Sequence, residues 1–194
     1  MITDQAKVIC ASKYFTVEQI KKLYELGVRD FGENRVQDML KKMEDLSDLP
    51  IVWHFIGHLQ TNKVKAMINK IDILHTLDRL SLAQFIQTYR EKPLPCFIQV
   101  NLTEESQKSG INPENLAQFF NDIKNYDKIE IIGFMTMGKD DDLLITEKAF
   151  RKLDELASLY QFPYRSMGMT NDYELALKYH ATHLRIGRKF LEFI

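Results

Sequence analysis

The feature that most limits how this chain can fold is an alternation carried from end to end. Short apolar, strand-like runs fall at 7–13, 29–32, 51–56, 72–76, 95–101, 129–135, 164–167 and 182–186. Between them lie segments of helical period. Val17, Ile20, Leu23 and Tyr24 share one face, as do Val36, Met39, Leu40, Met43 and Leu46. The same spacing returns at Val64/Met67/Ile68/Ile71, Leu82/Ala83/Ile86/Tyr89, Leu116/Phe119/Phe120/Ile123, Phe150/Leu153/Leu156/Ala157/Tyr160 and Tyr173/Ala176/Leu177. Gly27 and Pro50 mark helix stops. Strand and helix taking turns eight times, with no long linker, predicts a single (β/α)8 TIM barrel spanning residues 1–194 as one domain. An open doubly wound sheet would normally stop at five or six strands.

Composition narrows the function classes. The net charge is −1, so there is no electrostatic case for binding nucleic acid or an anionic membrane. The longest apolar runs are far short of a membrane span, and Met-Ile-Thr-Asp does not open a signal peptide. Cys10 and Cys96 lie in predicted strands without CxxC spacing, which predicts buried free thiols and a cytoplasmic location.

In a barrel the chemistry belongs at the C-terminal ends of the strands. Lys13, Gly32-Glu33-Asn34, Gly57-His58, Asn101, Met135, Ser166-Met167-Gly168 and Arg185-Ile186-Gly187 all fall there. A lysine at the mouth of a buried strand is expected to be desolvated, which disfavours the ammonium form and leaves an amine able to form a Schiff base with an aldehyde. The plainer alternative is a lysine snorkelling from a strand end. The loops after strands seven and eight, 166–170 and 185–188, are where barrels commonly bind phosphate through backbone N–H groups and a helix N-terminus. The plainer alternative there is turn glycines with Thr170 as an N-cap. Strand one neighbours strand eight in a closed barrel, so an aldehyde carrying a phosphate would satisfy both features. Pyridoxal 5′-phosphate (PLP) and a sugar-phosphate aldehyde both qualify.

Longer segments carry a resemblance. They are Ala11-Ser12-Lys13, residues 31–37 (FGENRVQ), 53–63 (WHFIGHLQTNK) and 98–101 (IQVN), Ser166-Met167-Gly168-Met169 and Arg185-Ile186-Gly187-Arg188. In that order, over nearly the whole chain, they resemble the pyridoxal phosphate homeostasis family, whose fold is similar to the barrel domain of alanine racemases. The resemblance implies that Lys13 carries PLP as a Schiff base and that Arg185 faces the ring nitrogen. It also implies that Gly187, Arg188 and Ser166 hold the phosphate, and Asn34, His58, Asn101, Met135 and Gly168 complete the expected cofactor-binding set. An arginine cannot accept a proton from the pyridine, so the cofactor would be a weak electron sink.

The function implied is vitamin B6 homeostasis: holding PLP and releasing it to apo-enzymes or free amino acids, with no catalytic residue and no metal. The expected assembly is a monomer or weak dimer. The alternative is a minimal PLP-dependent amino-acid racemase, but barrel racemases draw their second base from an additional β domain for which 194 residues leave no room. A cofactor-free Schiff-base aldolase is a third reading. His54 and His58 lack a metal-site context, His180 and His183 are expected to be solvated, and Trp53 is expected in the core. Glu104-Glu105 and Asp140-Asp141-Asp142 read as solvated loop charge. Two departures from the family stand out. The chain begins almost at its first strand, and Phe15 replaces a second lysine that the family often carries.

Overall fold

A computed structural model describes residues 2–103 and 109–194. Its elements are β1 (Lys7–Ala11), α1 (Val17–Glu25), β2 (Asp30–Glu33), α2 (Val36–Asp45), β3 (Val52–Phe55), α3 (Thr61–Met67), β4 (Ile73–Leu77), α4 (Leu80–Tyr89), β5 (Leu94–Gln99), α5 (Leu116–Ile123), β6 (Ile129–Met135), α6 (Leu143–Leu159), β7 (Tyr164–Ser166), α7 (Tyr173–Lys178) and β8 (His183–Ile186). The eight strands close into a parallel barrel in chain order, with β8 paired to β1. The expected TIM barrel is the observed fold. Its last unit departs from the pattern: β8 is followed by a 3-10 segment, Arg188–Phe193, rather than an α-helix.

Local sequence explains the element ends. Thr16 and Gln19 form a reciprocal capping box at the start of α1, and Gly27 follows its end with φ +97°. Asp142 caps α6 by accepting from the Ile145 amide at 3.0 Å, so this member of the acidic run is structural. Glu104-Glu105 lie outside the described residues.

Strand alternation then sorts the side chains into two layers. Cys10, Phe31, Trp53, Phe55, Leu74, Cys96, Ile98, Phe134, Leu184 and Ile186 pack outward against the helices, and Trp53 is core as expected. Both cysteines are free and buried, and burial pushes their thiols well above the usual range. The opposite phase fills the barrel with an unusually polar set. The ring of His75 stacks on Phe97 at 4.6 Å, Phe97 meets His183 at 5.0 Å, and His183 meets Tyr164 at 5.3 Å. His183 is therefore not solvated but 5% exposed, because β8 begins on it and turns it toward the axis. His180 does remain exposed, beside Asp154.

Candidate functional site

The C-terminal mouth gathers the strand ends that the sequence singled out, but it places them at different depths. Chain β1 stops at Ala11, and Ser12–Tyr14 make a single 3-10 turn. Ser12 is fixed to the neighbouring strand, donating to Glu33 Oε1 at 2.9 Å and lying within 3.3 Å of the Gly32 carbonyl. Lys13 thus lies beyond the last rung of the ladder and is exposed, with Nζ 4.8 Å from the centre of the Tyr14 ring. The desolvated lysine expected from a strand end is not what the structure shows. The 3-10 turn carries the residue past the end of the ladder and leaves its side chain exposed. Phe15, in the place of the family's second lysine, is core.

Arg185 is the buried counterpart. The register sets it opposite Ile9 on β1, with Ile186 opposite Cys10. An alanine-type Cβ at Gly187 would come within 3.3 Å of the Ala11 carbonyl. The first turn after β8 therefore sits directly against the strand that leads to Lys13. The guanidinium, 4% exposed, donates to Ser166 Oγ at 2.7 Å and to the Thr136 carbonyl at 3.0 Å. Burial lowers its pKa to about 10, with Asp172 opposing that shift, so it remains a cation at neutral pH.

Ser166 is wholly buried and its hydroxyl lies between Arg185 and His75, so its side chain is committed to the barrel interior rather than to an anion at the mouth. Gly168 has φ +93°, and a Cβ there would lie 2.7 Å from Ala176 Cβ and 2.8 Å from Leu184 Cδ2. Backbone conformation and close packing both demand glycine. The loop after β7 is held by Asp172, which accepts from the Met169 amide at 2.5 Å. Burial raises the Asp172 pKa despite that bond. The following helix α7 has six residues and begins at Tyr173, so Thr170 is not its cap; its hydroxyl instead lies 3.4 Å from the Gly187 amide. Arg188 is exposed at the start of the terminal 3-10 segment.

Around the rest of the rim, His58 is half exposed and its Nδ1 lies 3.0 Å from Asp78 Oδ2 and 3.3 Å from Ser109 Oγ. Asn34 keeps a buried Oδ1 without a hydrogen-bond partner. Asn101 is part-buried and Met135 is fully buried. Glu33, though at a strand end, faces outward and pairs with Ser12 and with Lys42 of α2. It belongs to the core. Among the described residues no group of three or more His, Cys, Asp or Glu is placed to hold a metal ion.

Sequence reasoning passed over His75. It sits in the inward phase of β4, and burial with the nearby His54 and Arg185 holds its pKa well below the usual imidazole range. Burial, then His54 and Lys7, push His183 down to about 3. An unfolded histidine titrates near 6.5. Between that value and about 3 the unfolded chain binds a proton that folded His183 refuses, so stability is full above pH 6.5 and falls as pH drops; the lowered His75 acts in the same direction. His183 alone should remove about 2 kcal/mol between pH 6.5 and 5. Urea unfolding at pH 7 and pH 5 checks this, and equal stability at both would contradict it.

A barrel with a lysine beyond β1 and a buried arginine on β8 defines a class: the chain belongs to the family described as alanine racemase, N-terminal domain, which it matches over residues 5–189. Within that class its relatives are more particular. It is 41% identical over 192 residues to the pyridoxal phosphate homeostasis protein of Aquifex aeolicus, covering 94% of this chain and 84% of that protein. The protein of the same name from Helicobacter pylori is 37% identical over 194 residues, covering 93% and 85%. The solved structure of PipY from Synechococcus elongatus with PLP bound superposes with a TM-score of 0.87 at 27% identity, covering 98% of this chain and 94% of that one. Alanine racemase from Corynebacterium glutamicum, at 15% identity and TM-score 0.74, covers 96% of this chain and 55% of that one and shares the fold.

Proposed function

We propose that this chain binds PLP as a Schiff base on Lys13 and serves intracellular PLP homeostasis in the cytoplasm, without robust catalysis of its own. One observation carries the reading: adjacent strands β1 and β8 bring an accessible amine and a buried, permanently charged guanidinium to the same mouth. The homeostasis relatives and the PLP-bound neighbour support it. The residues present fit the cofactor. The orphaned Asn34 Oδ1 offers an acceptor at the mouth, and Gly187 leaves the turn after β8 free of a side chain. When bound, PLP supplies an aldehyde that condenses reversibly with an amine, losing water to form C=N.

Lys13 would provide that amine, and its exposure suits exchange with incoming free amino acids or apo-enzymes. Arg185 would donate to the ring nitrogen without giving it a proton, which leaves the ring a poor carbanion sink. The backbone at Gly168, Gly187 and Arg188 would face the phosphate, with the Arg188 side chain free to reach it. His58 and Asn101 would line the rim and Met135 the floor. Residues 1–194 form a single domain on this reading, working as a monomer or weak dimer. Among the described residues no helix is long and apolar enough to cross a membrane.

The test is to load the purified protein with PLP, remove the free cofactor, and assay both transfer to an apo-transaminase and racemisation of alanine and serine. Transfer is expected. Racemisation should fall at least roughly a thousandfold below the typical enzyme turnover of about 10 per second. Turnover at ordinary rates would replace this reading with the minimal racemase.

A further inference from the structure

An unbroken file of polar side chains runs from Arg185 through the barrel interior to its N-terminal end. Arg185 donates to Ser166 Oγ at 2.7 Å, and Ser166 Oγ lies 2.7 Å from His75 Nδ1. His75 Nε2 lies 2.9 Å from His54 Nδ1, and His54 Nε2 lies 2.9 Å from Asp30 Oδ1. Lys7 Nζ closes the file, donating to the same Asp30 oxygen at 3.0 Å. Ser166, His75 and His54 show no side-chain exposure to solvent.

The arginine fixes the direction of every bond. A guanidinium has donors only, so Ser166 Oγ accepts from it and turns its own hydrogen to His75 Nδ1. His75 must then carry its proton on Nε2 and donate to His54 Nδ1. His54 in turn donates from Nε2 to the Asp30 carboxylate. In this arrangement each ring nitrogen and the serine hydroxyl has a partner of the correct kind. Reversing it would aim an N–H of His75 at Ser166 and deprive the serine hydrogen of its acceptor, beside the Arg185 charge. Burial and the nearby Arg185 charge already disfavour a charged His75. Asp30 stays ionised because the hydrogen bonds from His54 and Lys7 outweigh the burial that would raise its pKa.

We propose that Ser166, His75 and His54 are positioning residues: a one-way hydrogen-bond relay, anchored by the Asp30–Lys7 pair, that locks Arg185 as a fixed donor toward the ring nitrogen of PLP. This rests on the reading that PLP occupies the mouth with its ring nitrogen toward Arg185. A merely space-filling role is a poor account of the file. Burying this many polar groups is costly unless all are paired, and apolar side chains would fill the interior without that cost.

Two measurements test the relay. Side-chain 15N NMR of the wild-type protein at pH 7 should show His75 and His54 as neutral rings protonated on Nε2. A proton on Nδ1 of either ring, or an imidazolium, overturns the one-way relay, and this needs no variant to fold. In the PLP-loaded protein, Ser166→Ala and His75→Leu should displace the visible absorption maximum. Ser166→Ala should also raise the PLP dissociation constant about tenfold, by removing a hydrogen bond from a charged donor. Borohydride should still trap PLP on both variants. Wild-type band position and affinity in both would overturn the positioning role while leaving PLP binding intact. A wild-type protein with no visible band would instead fail the underlying PLP reading, and the NMR result would still decide the relay.

Discussion

Lys13→Ala is expected to yield a colourless protein that no longer retains PLP through gel filtration, with a melting temperature close to that of the wild type. The two halves of this expectation come from the same observation. Residue 13 is exposed on a single 3-10 turn, and the contact described for its ammonium is with the neighbouring Tyr14 ring. Replacing it removes no buried group, and surface changes of this kind usually stay within about 0.5 kcal/mol. Covalent retention of an aldehyde, by contrast, needs the amine itself. The visible absorbance of the retained cofactor, read beside a thermal melt, separates the two effects. A variant that keeps the wild-type visible band would mean that another amine holds the cofactor.

Gly57→Ala should have the opposite signature, a loss of fold that carries the site with it. A Cβ at residue 57 would sit 2.1 Å from the Asn34 carbonyl oxygen, 2.5 Å from Asn34 Cα and 2.6 Å from Asn34 C. All three are backbone atoms, so no rotamer change relieves the overlap. The exits of β2 and β3 are also tied on both sides. Ile56 donates to the Glu33 carbonyl at 2.9 Å, and Thr76 Oγ1 donates to the Gly57 carbonyl at 2.6 Å. Forcing these strands apart should cost about 3 kcal/mol or more, the upper end of overpacking penalties. For a chain of this size that is a fall of roughly 10 °C in melting temperature. Because Asn34 and His58 flank the contact, PLP affinity should weaken in parallel. A melt within about 2 °C of wild type would show that the mouth is looser than the backbone distances describe.

The architecture was legible because barrel strands and helices leave different periods in the sequence. Strand β6 is observed at Ile129–Met135, the range the apolar run marks, and the α1 stripe is the one that Ile20 and Leu23 bury. What the pattern could not show was where a strand ends. The run 7–13 stays apolar through Ala11, yet the ladder stops there and a 3-10 turn takes over, which reverses the expected burial of Lys13. The polar interior was legible in principle. His54, His75, His183 and Arg185 each sit within a short strand in the phase opposite its helix-facing residues, and Ser166 ends the short β7 buried beside them. Read as a set, that phase marks a barrel filled with polar groups. Read singly, His183 suggests a solvated side chain and His75 only a strand residue, because only closure of the barrel brings β3, β4, β7 and β8 to one axis.

The most direct test of the central claim is borohydride reduction of the PLP-loaded wild-type protein followed by peptide mass spectrometry. The pyridoxyl-phosphate adduct is predicted on the peptide containing Lys13 and on no other. An adduct on a different lysine, or no adduct on a protein that has taken up PLP, would contradict the account.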